Sequence, residues 1–516
     1  MGAIPYLKTE QGKTQLMVED KPFVILGGEF HNSSGSDLSY MEKHVWPGLK
    51  RLGGNCYLTP VYWECMEPEP DACDFSLVDG VIQQARQAGV RLILLWFGLW
   101  KNGRSEYVPA WMKRDNTYFY MRGIDGKQLE SVSPFCGEAV ARDKKAFCRL
   151  MEHLKEVDEA HTVIMVQVEN EIGVWNNPRD YSEQAKQLFA SSVPEEMQRL
   201  FGRSGTWEEA FGFVASEYLM AWGFARAVGE IAAAGKEIYP LPMFMNCVAV
   251  GPDLPAGALP SGGPLPRVHR IWRAFAPAID LYGPDIYAPF FKQVAGDFAA
   301  ANALMIPELS QGIDMAPKAL FALSAYNTLC FSPFGIDGVM NGISAGDLLA
   351  QTNSDLGGDY GRAGDELADT YRLLAFLQEE MEKAKDEKRL YAFLDQGADE
   401  VFPVGGYTIR VAFGAGMVTP LFGEPYPGHR PEGAPCGGGF IIRRDTDTFL
   451  VCGYSARISV EPGYARQGRD IFLLDKREFR LGEGGLEQGR ILNGDERNYM
   501  ILGPTLTIQE VTFYCR

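Results

Sequence analysis

Residues 91–98 read Arg-Leu-Ile-Leu-Leu-Trp-Phe-Gly, and only Arg91 in this run is charged. A strand with one face in water alternates polar and apolar side chains. A parallel strand covered by helices on both faces is apolar almost throughout. The run therefore predicts a parallel strand that is buried on both sides, with helices before and after it in the chain.

Short apolar runs alternate with helical stretches on both sides of this segment. Residues 37–52 carry apolar side chains at helical spacing, Asp37 is a suitable N-cap, and Gly53-Gly54 is a stop signal. The eight strand candidates are Phe23–Phe30, Cys56–Trp63, Arg91–Gly98, Thr162–Val168, Leu241–Val248, Ile279–Tyr287, Ala303–Leu309 and Thr328–Val339. Eight βα units predict an α/β fold of the closed (β/α)8 barrel type, the TIM barrel, with an open doubly wound sheet as the alternative.

The composition of the sequence changes after Ser354. A charged helical stretch, Glu366–Leu394, is followed from about Val401 by short strand-like runs separated by glycine and proline. This pattern predicts a small all-β domain at the carboxyl end. We therefore expect a catalytic barrel with flanking helices in residues 1–385, and a β-rich accessory domain in residues 386–516. No clear aromatic platform marks the accessory domain, which favours a structural or oligomer-forming role over sugar binding.

The overall charge limits the partners. The chain has 49 basic and 67 acidic residues, a net charge of −18, which argues against nucleic acids and anionic membranes as partners. Residues 1–20 lack a basic stretch before an apolar core, and no window reaches the about 18 apolar residues of a membrane span. The ten cysteines include no C-x-x-C pair, so we expect reduced thiols and a cytoplasmic protein. A homo-oligomer is left open.

Two predicted strands end in glutamate, where a barrel carries its active site. Residues 167–171 read Gln-Val-Glu-Asn-Glu, and Glu308 follows Ile306-Pro307. Hydrolysis of an acetal needs one carboxylic acid to protonate the leaving oxygen and one carboxylate at the anomeric carbon. Alternation along a strand does not choose between Glu169 and Glu171. A single glutamate at a strand end also commonly makes a structural ion pair.

A resemblance to a known family rests on these residues. The string at 167–171 resembles the Asn-Glu signature of the clan of (β/α)8-barrel retaining glycosidases. The longer string QVENEIG at 167–173 is similar to the QVENEYG of family 35 β-galactosidases. The amino-terminal third also resembles that family, in Gly28–His31, Leu49–Asn55 and Tyr62–Glu64 among other segments. The β-rich carboxyl region resembles the small domain of a bacterial subgroup of family 35-like proteins.

The resemblance implies roles for three residues. Glu171 would be the acid/base, Glu308 the nucleophile, and Asn170 a ligand of the hydroxyl beside the anomeric carbon. The expected reaction is removal of a terminal β-linked galactose with retained stereochemistry, with a small carbohydrate as substrate and no cofactor or metal.

The sequence departs from the family in two segments that shape the sugar pocket. Residues 63–68 read WECMEP where the family has W-N-x-H-E-P, and residues 95–100 read LWFGLW where it has R-P-G-P-Y. The reaction class is therefore better supported than galactose. The alternatives are the same mechanism on another β-glycoside (a glucoside, fucoside, arabinoside or specialised glycan) and a degenerate sugar-binding barrel.

Sugar pockets combine aromatic faces with polar groups, and further residues close the predicted strands or follow them. The aromatic candidates for substrate binding are Trp63, Trp100 and Tyr287, and the polar candidates are Glu64, Asn246, Asp285 and His31. Each has a structural alternative, as a core aromatic ring or as a polar group that only supports its neighbours.

Other chemistries have weaker signals. The six histidines show no metal-ligand spacing. Residues 342–346 match the G-x-S-x-G string, but a serine hydrolase would need a later histidine, and only His429 qualifies, in a Gly/Pro-rich loop. We interpret 342–346 as a barrel loop, and Gly437–Gly439 as part of a flexible loop that spans 423–439.

Overall fold

The chain forms two compact units in a computed structural model. The structure describes residues 2–249, 251, 254–341, 360–414, 419–421, 424–426, 435–498 and 500–516. One unit comprises residues 1–46, 55–309 and 327–334, and the other comprises residues 47–54, 310–326 and 335–516. The expected domain bounds, 1–385 and 386–516, stay a prediction.

The first unit contains a parallel barrel of eight strands, labelled β1 to β8 in chain order. They are β1 Ile25–Glu29, β2 Cys56–Tyr62, β3 Arg91–Lys101, β4 Val163–Asn170, β5 Met243–Val248, β6 Leu281–Ile286, β7 Leu304–Leu309 and β8 Thr328–Phe331. The (β/α)8 fold predicted from the sequence is thus confirmed, and the open doubly wound alternative is wrong.

The sheet closes through strand β7, which is split by Pro307. Its first part, Leu304–Ile306, pairs with β8, and its second part, Glu308–Leu309, pairs with β6. Proline has no backbone N–H to donate to a neighbouring strand, so it interrupts the ladder at this point. The strand order β8-β1-β2-β3-β4-β5-β6 therefore has both of its ends joined by the two parts of β7.

The strands form where apolar side chains are buried on both faces. Residues 92–101 of β3 are all buried, as its composition predicts. A core cluster inside this unit gathers Leu58, Leu95, Ile164 and Phe244 from strands β2 to β5. Burial on both faces leaves the strand ends as the place where polar side chains meet.

Helices and further short strands lie before, between and after the barrel strands in the sequence. The helices are Leu38–Tyr40, Met41–Val45 (a π-helix), Trp46–Leu52, Trp63–Met66, Ser76–Ala88, Ala110–Lys113, Gly137–Val157, Glu183–Ala190, Glu195–Phe201, Trp207–Phe211, Ala215–Ile238, His269–Phe275, Phe291–Ala301, Met315–Ala325, Ile336–Met340, Tyr360–Asp386 and Asp495–Asn498. Additional strands are Tyr6–Glu10, Lys13–Val18, Lys21–Pro22, Tyr120–Arg122 and Gln128–Val132. Asp37 caps the first helix as predicted, accepting hydrogen bonds from the backbone N–H groups of Ser39 and Tyr40.

The second unit carries antiparallel sheets, as expected of an all-β region. A six-stranded sheet has the order Leu390–Leu394, Gly438–Arg443, Thr448–Tyr454, Thr507–Cys515, Ile471–Leu481 and Leu486–Ile491. A four-stranded sheet has the order Glu400–Val404, Tyr407–Ala412, Ala456–Pro462 and Met500–Leu502, and a two-stranded one pairs Thr419–Leu421 with Glu424–Tyr426. The core between strands of this unit includes Tyr407, Phe449 and Phe513.

Two local predictions are wrong. Strand β8 ends at Phe331 rather than Val339, because Pro333 follows and residues 336–340 are helical. Gly438 and Gly439 start a strand rather than lying in a loop. A Cβ atom on Gly439 would lie 2.1 Å from the carbonyl oxygen of Cys452, so close approach of strands explains this glycine. Residues 342–346 and His429 lie outside the described residues.

Two general features concern the helices and the cysteines. In the described part of the chain, no helix combines the length and the apolar character needed to cross a membrane. The ten cysteines, all of which are described, form no disulfide.

Candidate active site

The two predicted catalytic glutamates meet at the carboxyl ends of the barrel strands. Glu308 lies in the second part of β7, and Glu171 directly follows Asn170, the last residue of β4. Glu171, Glu308 and Asp285 each place one carboxyl oxygen within 4.8 Å of one oxygen of each of the other two. The three side chains are buried. The two glutamates are 137 positions apart in the sequence, and the barrel brings them together.

The backbone at the end of β4 separates Glu171 from Glu169. Both residues have positive φ angles, 63° at Glu169 and 43° at Glu171, which breaks the alternation of an ordinary strand. Glu169 accepts hydrogen bonds from the backbone N–H groups of Leu99 (3.2 Å) and Trp100 (2.7 Å). Glu169 also hydrogen-bonds the Asp143 side chain. Glu169 is thus engaged in a structural network.

The surroundings of Glu171 raise its affinity for a proton. Burial, followed by the negative charge of Glu308, raises the pKa of Glu171 to about 7. The positive charge of Lys101 and a hydrogen bond with Asp285 lower the pKa and limit the rise. A carboxyl group with a pKa near 7 can donate a proton at neutral pH and take it back later, which is the property of a general acid/base.

Asn246 and Asp285 hold Glu171 from the neighbouring strands. The Asn246 Oδ1 atom accepts a hydrogen bond of 2.9 Å from the backbone N–H of Glu171, and its Nδ2 donates one of 2.8 Å to Asp285 Oδ2. Asp285 pairs with Glu308 in the parallel register of β6 and β7. Burial, with the nearby charges of Glu308 and Glu171, raises the pKa of Asp285 well above its usual range. Asp285 therefore holds a proton more readily than an ordinary aspartate, and it shares a hydrogen bond with Glu171.

Tyr287 orients Glu308. This residue follows β6, and its hydroxyl donates a hydrogen bond to Glu308 Oε1. The Tyr287 side chain leaves 44% of its surface exposed. The other oxygen, Glu308 Oε2, is buried and has no hydrogen-bond partner among the described residues. One oxygen is thus fixed by the tyrosine and the second remains available to a substrate.

Asn170 is held by a lysine that ends strand β3. The Lys101 Nζ atom is buried and donates a hydrogen bond of 2.7 Å to Asn170 Oδ1. The Asn170 Nδ2 group is buried without a partner in the described part of the chain. A buried amide donor that lacks a partner is costly, so Asn170 is suited to donate to a sugar hydroxyl.

Glu29, the last residue of β1, adds another carboxyl group. Within the described residues neither of its buried oxygens has a hydrogen-bond partner. Burial, followed by the charge of Glu308, raises the pKa of Glu29 well above its usual range. The charges of Lys101 and Glu171 also act on this group, which places Glu29 at the same mouth.

Four other residues predicted to bind substrate make different contacts. Trp63 is buried, donates from Nε1 to Glu67 Oε2 (2.7 Å) and packs on Trp96. Trp100 is buried and donates from Nε1 to the carbonyl of Val132 (2.9 Å). These contacts are typical of core rings, and the sugar-binding role of Trp63 and Trp100 stays a prediction.

The remaining two are polar. Glu64 lies at the surface, where its carboxylate is 3.2 Å from Lys113 Nζ. His31 is buried, with its ring edge-on to Phe334 at 5.4 Å between centroids. The assignment of both residues to substrate binding likewise stays a prediction.

The three clustered carboxyl groups have the oxygen chemistry that hard divalent cations prefer. A metal ligand must be deprotonated. Binding of a cation here would therefore release protons, because burial and neighbouring charges raise the pKa values of Glu171 and Asp285. The same groups are suited to exchange protons with an acetal substrate.

Comparison with known families agrees with this geometry. Residues 15–217 match the sequence model of the glycosyl hydrolases family 35. The matched region runs from before β1 to beyond β4 and includes Glu171 and Asn170. The chain is a glycoside hydrolase, and its residues 15–217 are similar to family 35.

The rest of this glycosidase has less informative matches. Residues 367–502 match the model of a domain of unknown function, DUF5597. No curated protein sequence matches the chain.

Three solved structures are similar to the glycosidase at low sequence identity. The β-amylase catalytic domain from Paenibacillus polymyxa is 13% identical with a TM-score of 0.47, over 63% of this chain and 95% of that one. The cold-adapted β-galactosidase from Rahnella sp. R3 is 14% identical with a TM-score of 0.46, over 69% and 56% of the two chains. The β-mannanase from the blue mussel Mytilus edulis is 16% identical with a TM-score of 0.42, over 70% and 96%.

Two residues at this site were not singled out from the sequence. Lys101 follows the apolar run of β3 directly, and a charged residue at the end of such a strand is a usable signal. Glu29 stands within the segment Gly28–His31, which entered only through family resemblance. Both were recognisable as strand ends once the strand bounds were known.

Proposed function

We propose that this glycosidase is a retaining exo-enzyme that removes terminal β-linked galactose. The observation that carries the proposal is the close approach of Glu171 and Glu308, which each place one carboxyl oxygen within 4.8 Å of one oxygen of the other. Retaining glycosidases hold their two carboxyl groups about 5–5.5 Å apart, whereas inverting ones need about 6.5–9.5 Å to admit a water molecule. The short separation supports direct attack by one carboxylate.

In the first step the Glu308 carboxylate attacks the anomeric carbon as the bond to the leaving oxygen breaks. The proton of the Glu171 carboxyl group passes to that oxygen, so the aglycone departs as an alcohol. The Tyr287 hydroxyl keeps one Glu308 oxygen in place during the attack. A covalent glycosyl-enzyme of inverted configuration results.

In the second step Glu171, now a carboxylate, accepts a proton from a water molecule. The oxygen of that water bonds to the anomeric carbon while the bond to Glu308 breaks. Two inversions give a product with the configuration of the substrate. Asn170, with its unpartnered amide donor, would bind the hydroxyl beside the anomeric carbon.

The choice of galactose rests on the resemblance to family 35, and the buried polar groups at the mouth are consistent with a neutral sugar. Among the described residues, four carboxyl groups, those of Glu29, Glu171, Asp285 and Glu308, lie near one buried cation, Lys101. A carboxylate or sulfate on the glycon would lose its hydration in this buried mouth, a cost that a neutral sugar avoids. Neutral hexoses offer the hydroxyls that these groups can bind.

The test measures initial rates on p-nitrophenyl β-D-galactoside for the wild type, Glu308→Ala and Glu171→Ala, with and without azide. Both variants should lose activity, by about 10²–10⁴-fold where general acid/base assistance is removed. Azide should give a galactosyl azide of inverted anomer with Glu308→Ala and of retained anomer with Glu171→Ala. Glu169→Gln is the matched control, because it changes a buried strand-end glutamate that contacts the β3 backbone instead.

Each part of the proposal has its own contrary outcome. A fully active Glu308→Ala would mean that the nucleophile lies elsewhere. If Glu169→Gln lost activity like Glu171→Ala while remaining folded, the acid/base assignment would be wrong. A wild type that ignores the galactoside but cleaves another glycoside of a nitrophenyl panel would keep the mechanism and change the sugar.

A further inference from the structure

A cleft opens between the loop after strand β3 and the segment that follows Glu171 after β4. Its volume is about 390 Å³, and its walls include Arg104, Met121, Glu130 and Trp175. This volume lies in the range of small-molecule pockets, about 300–1,000 Å³. No residue of this cleft has a part in the mechanism above.

The backbone connects the cleft to the catalytic residues. The N–H of Asn102, in one wall, donates a hydrogen bond of 3.2 Å to the carbonyl of Asn170. Trp175, in the other wall, follows Glu171 by four residues, a span of at most about 14 Å. Val174 is fixed by two backbone hydrogen bonds with Ser261, of 3.0 and 2.9 Å. The tryptophan is therefore carried by an anchored segment close to the acid/base.

Trp175 lines the cleft and is not packed in the core. Its side chain is 38% exposed. One edge lies on Gly103, where an added Cβ atom would be 2.0 Å from Trp175 Cδ1. Gly103 also has a φ angle of +64°, in the region that favours glycine. The loop after β3 thus leaves room for the indole, whose remaining surface lines the cleft.

The rim of the cleft supplies polar groups. The Arg104 guanidinium lies 3.3 Å from a Glu106 carboxylate oxygen and 3.4 Å from one of Glu130. All three side chains are more than half exposed, so they remain hydrated and can exchange partners. An aromatic face with hydrogen-bonding groups around it is the composition that binds a neutral sugar ring.

The position of the general acid decides what this cleft binds. The acid protonates the oxygen that leaves, so the leaving group lies on the side of Glu171. We propose that the cleft is the subsite for the leaving saccharide, a neutral sugar unit whose apolar face stacks on Trp175. This assignment of the cleft rests on the proposed function. It adds that the leaving group of the natural substrate is a sugar rather than a small alcohol, so that the substrate is an oligosaccharide.

The kinetic test compares two substrates with the same glycon and different leaving groups. β-Linked galactobiose fills the cleft, whereas β-galactosyl fluoride leaves it empty. Trp175→Ala should lower kcat/KM for galactobiose about tenfold or more, equivalent to about 1.4 kcal/mol, and leave the value for the fluoride within about twofold. Trp175→Phe should lose less. Phe213→Ala, which removes an aromatic ring that is 98% exposed, is the control and should change neither substrate.

A second measurement does not depend on turnover. In the Glu308→Ala background, calorimetry should show that Trp175→Ala weakens the binding of galactobiose about tenfold, by the same 1.4 kcal/mol, and leaves the binding of galactose unchanged. Equal losses for the disaccharide and for the fluoride or galactose would overturn the proposal, since they would indicate general damage to the site. No loss for the disaccharide would overturn it as well. If Glu308→Ala itself proves fully active, the proposed mechanism fails, and the comparison of kcat/KM for galactobiose and the fluoride still decides the role of the cleft.

Discussion

Removing the charge of Glu308 should lower the pKa of Glu171. One carboxyl oxygen of each residue lies within 4.8 Å of one oxygen of the other. At an effective dielectric constant of about 20, two unit charges at that distance interact by about 3.5 kcal/mol. Spreading each charge over two oxygens reduces this to about 3 kcal/mol, or about two pKa units. Glu308→Gln should therefore move the pKa of Glu171 from about 7 to about 5.

This shift is what the proposed double displacement needs. Below its pKa of about 7, Glu171 holds its proton and can act as an acid. Forming the glycosyl-enzyme neutralises Glu308 as the substitution does, so Glu171 then loses its proton and can act as a base. The direction of the change thus matches the change of role between the two steps.

The assay is carbon NMR of protein labelled at the glutamate carboxyl carbons, titrated from pH 3 to pH 9, about two units either side of the expected values. The Glu171 signal is assigned by its absence in Glu171→Gln. Glu308→Asp keeps the charge and serves as the control, so its Glu171 should titrate near the wild-type value. A Glu171 pKa in Glu308→Gln within about half a unit of the wild type, equivalent to about 0.7 kcal/mol, would refute the electrostatic reasoning.

Three further outcomes follow from single contacts. Tyr287→Phe removes the hydroxyl that is hydrogen-bonded to the proposed nucleophile, and it should lower kcat/KM about tenfold, the effect of a hydrogen bond to a charged group. Tyr282→Phe is the control, because the buried Tyr282 hydroxyl has no partner in the described residues, and it should leave kcat/KM nearly unchanged. Lys101→Met removes a charge that lowers the pKa of Glu171, so the alkaline limb of the kcat/KM profile should move to higher pH; a limb that stays in place or moves to lower pH would contradict this. Burial raises the pKa of Glu29, so in the wild type this group favours folding below its ordinary pKa and progressively less as the pH rises through the raised value. Glu29→Gln should therefore raise the Tm, relative to the wild type, more at pH 8 than at pH 5, and an equal difference at both pH values in thermal unfolding would count against it.

The fold was largely predictable from the sequence because burial on both faces leaves a strong pattern. The apolar run of β3 and seven similar runs identified the eight barrel strands. The short strand-like runs separated by glycine and proline after residue 401 identified the antiparallel region. The predicted strand β8 was too long, because the short helix 336–340 is as apolar as a buried strand. Composition alone does not separate these two.

The candidate site was predictable as a pair of strand ends but not as a set of contacts. Glu308 became a candidate because it closes an apolar strand, and the resemblance of residues 167–171 to a family signature favoured Glu171 over Glu169. The different contacts of Glu169 and Glu171 depend on two positive φ angles at the end of β4, which strand alternation does not predict. Trp63 and Trp100 were candidates for the sugar pocket because aromatic residues at strand ends look alike, whether they pack inward or face a ligand.

The sequence by itself determined the alternation of strands and helices and the residue types at the strand ends, because these depend on burial and local periodicity. Only the tertiary structure decided which of those ends share one buried space. Glu29, Lys101, Glu171 and Glu308 come from four strands far apart in the chain, yet each acts on the charge of another. Coulomb energy depends on distance in space and on exclusion of water, so the raised pKa of Glu171 is a property of the closed barrel.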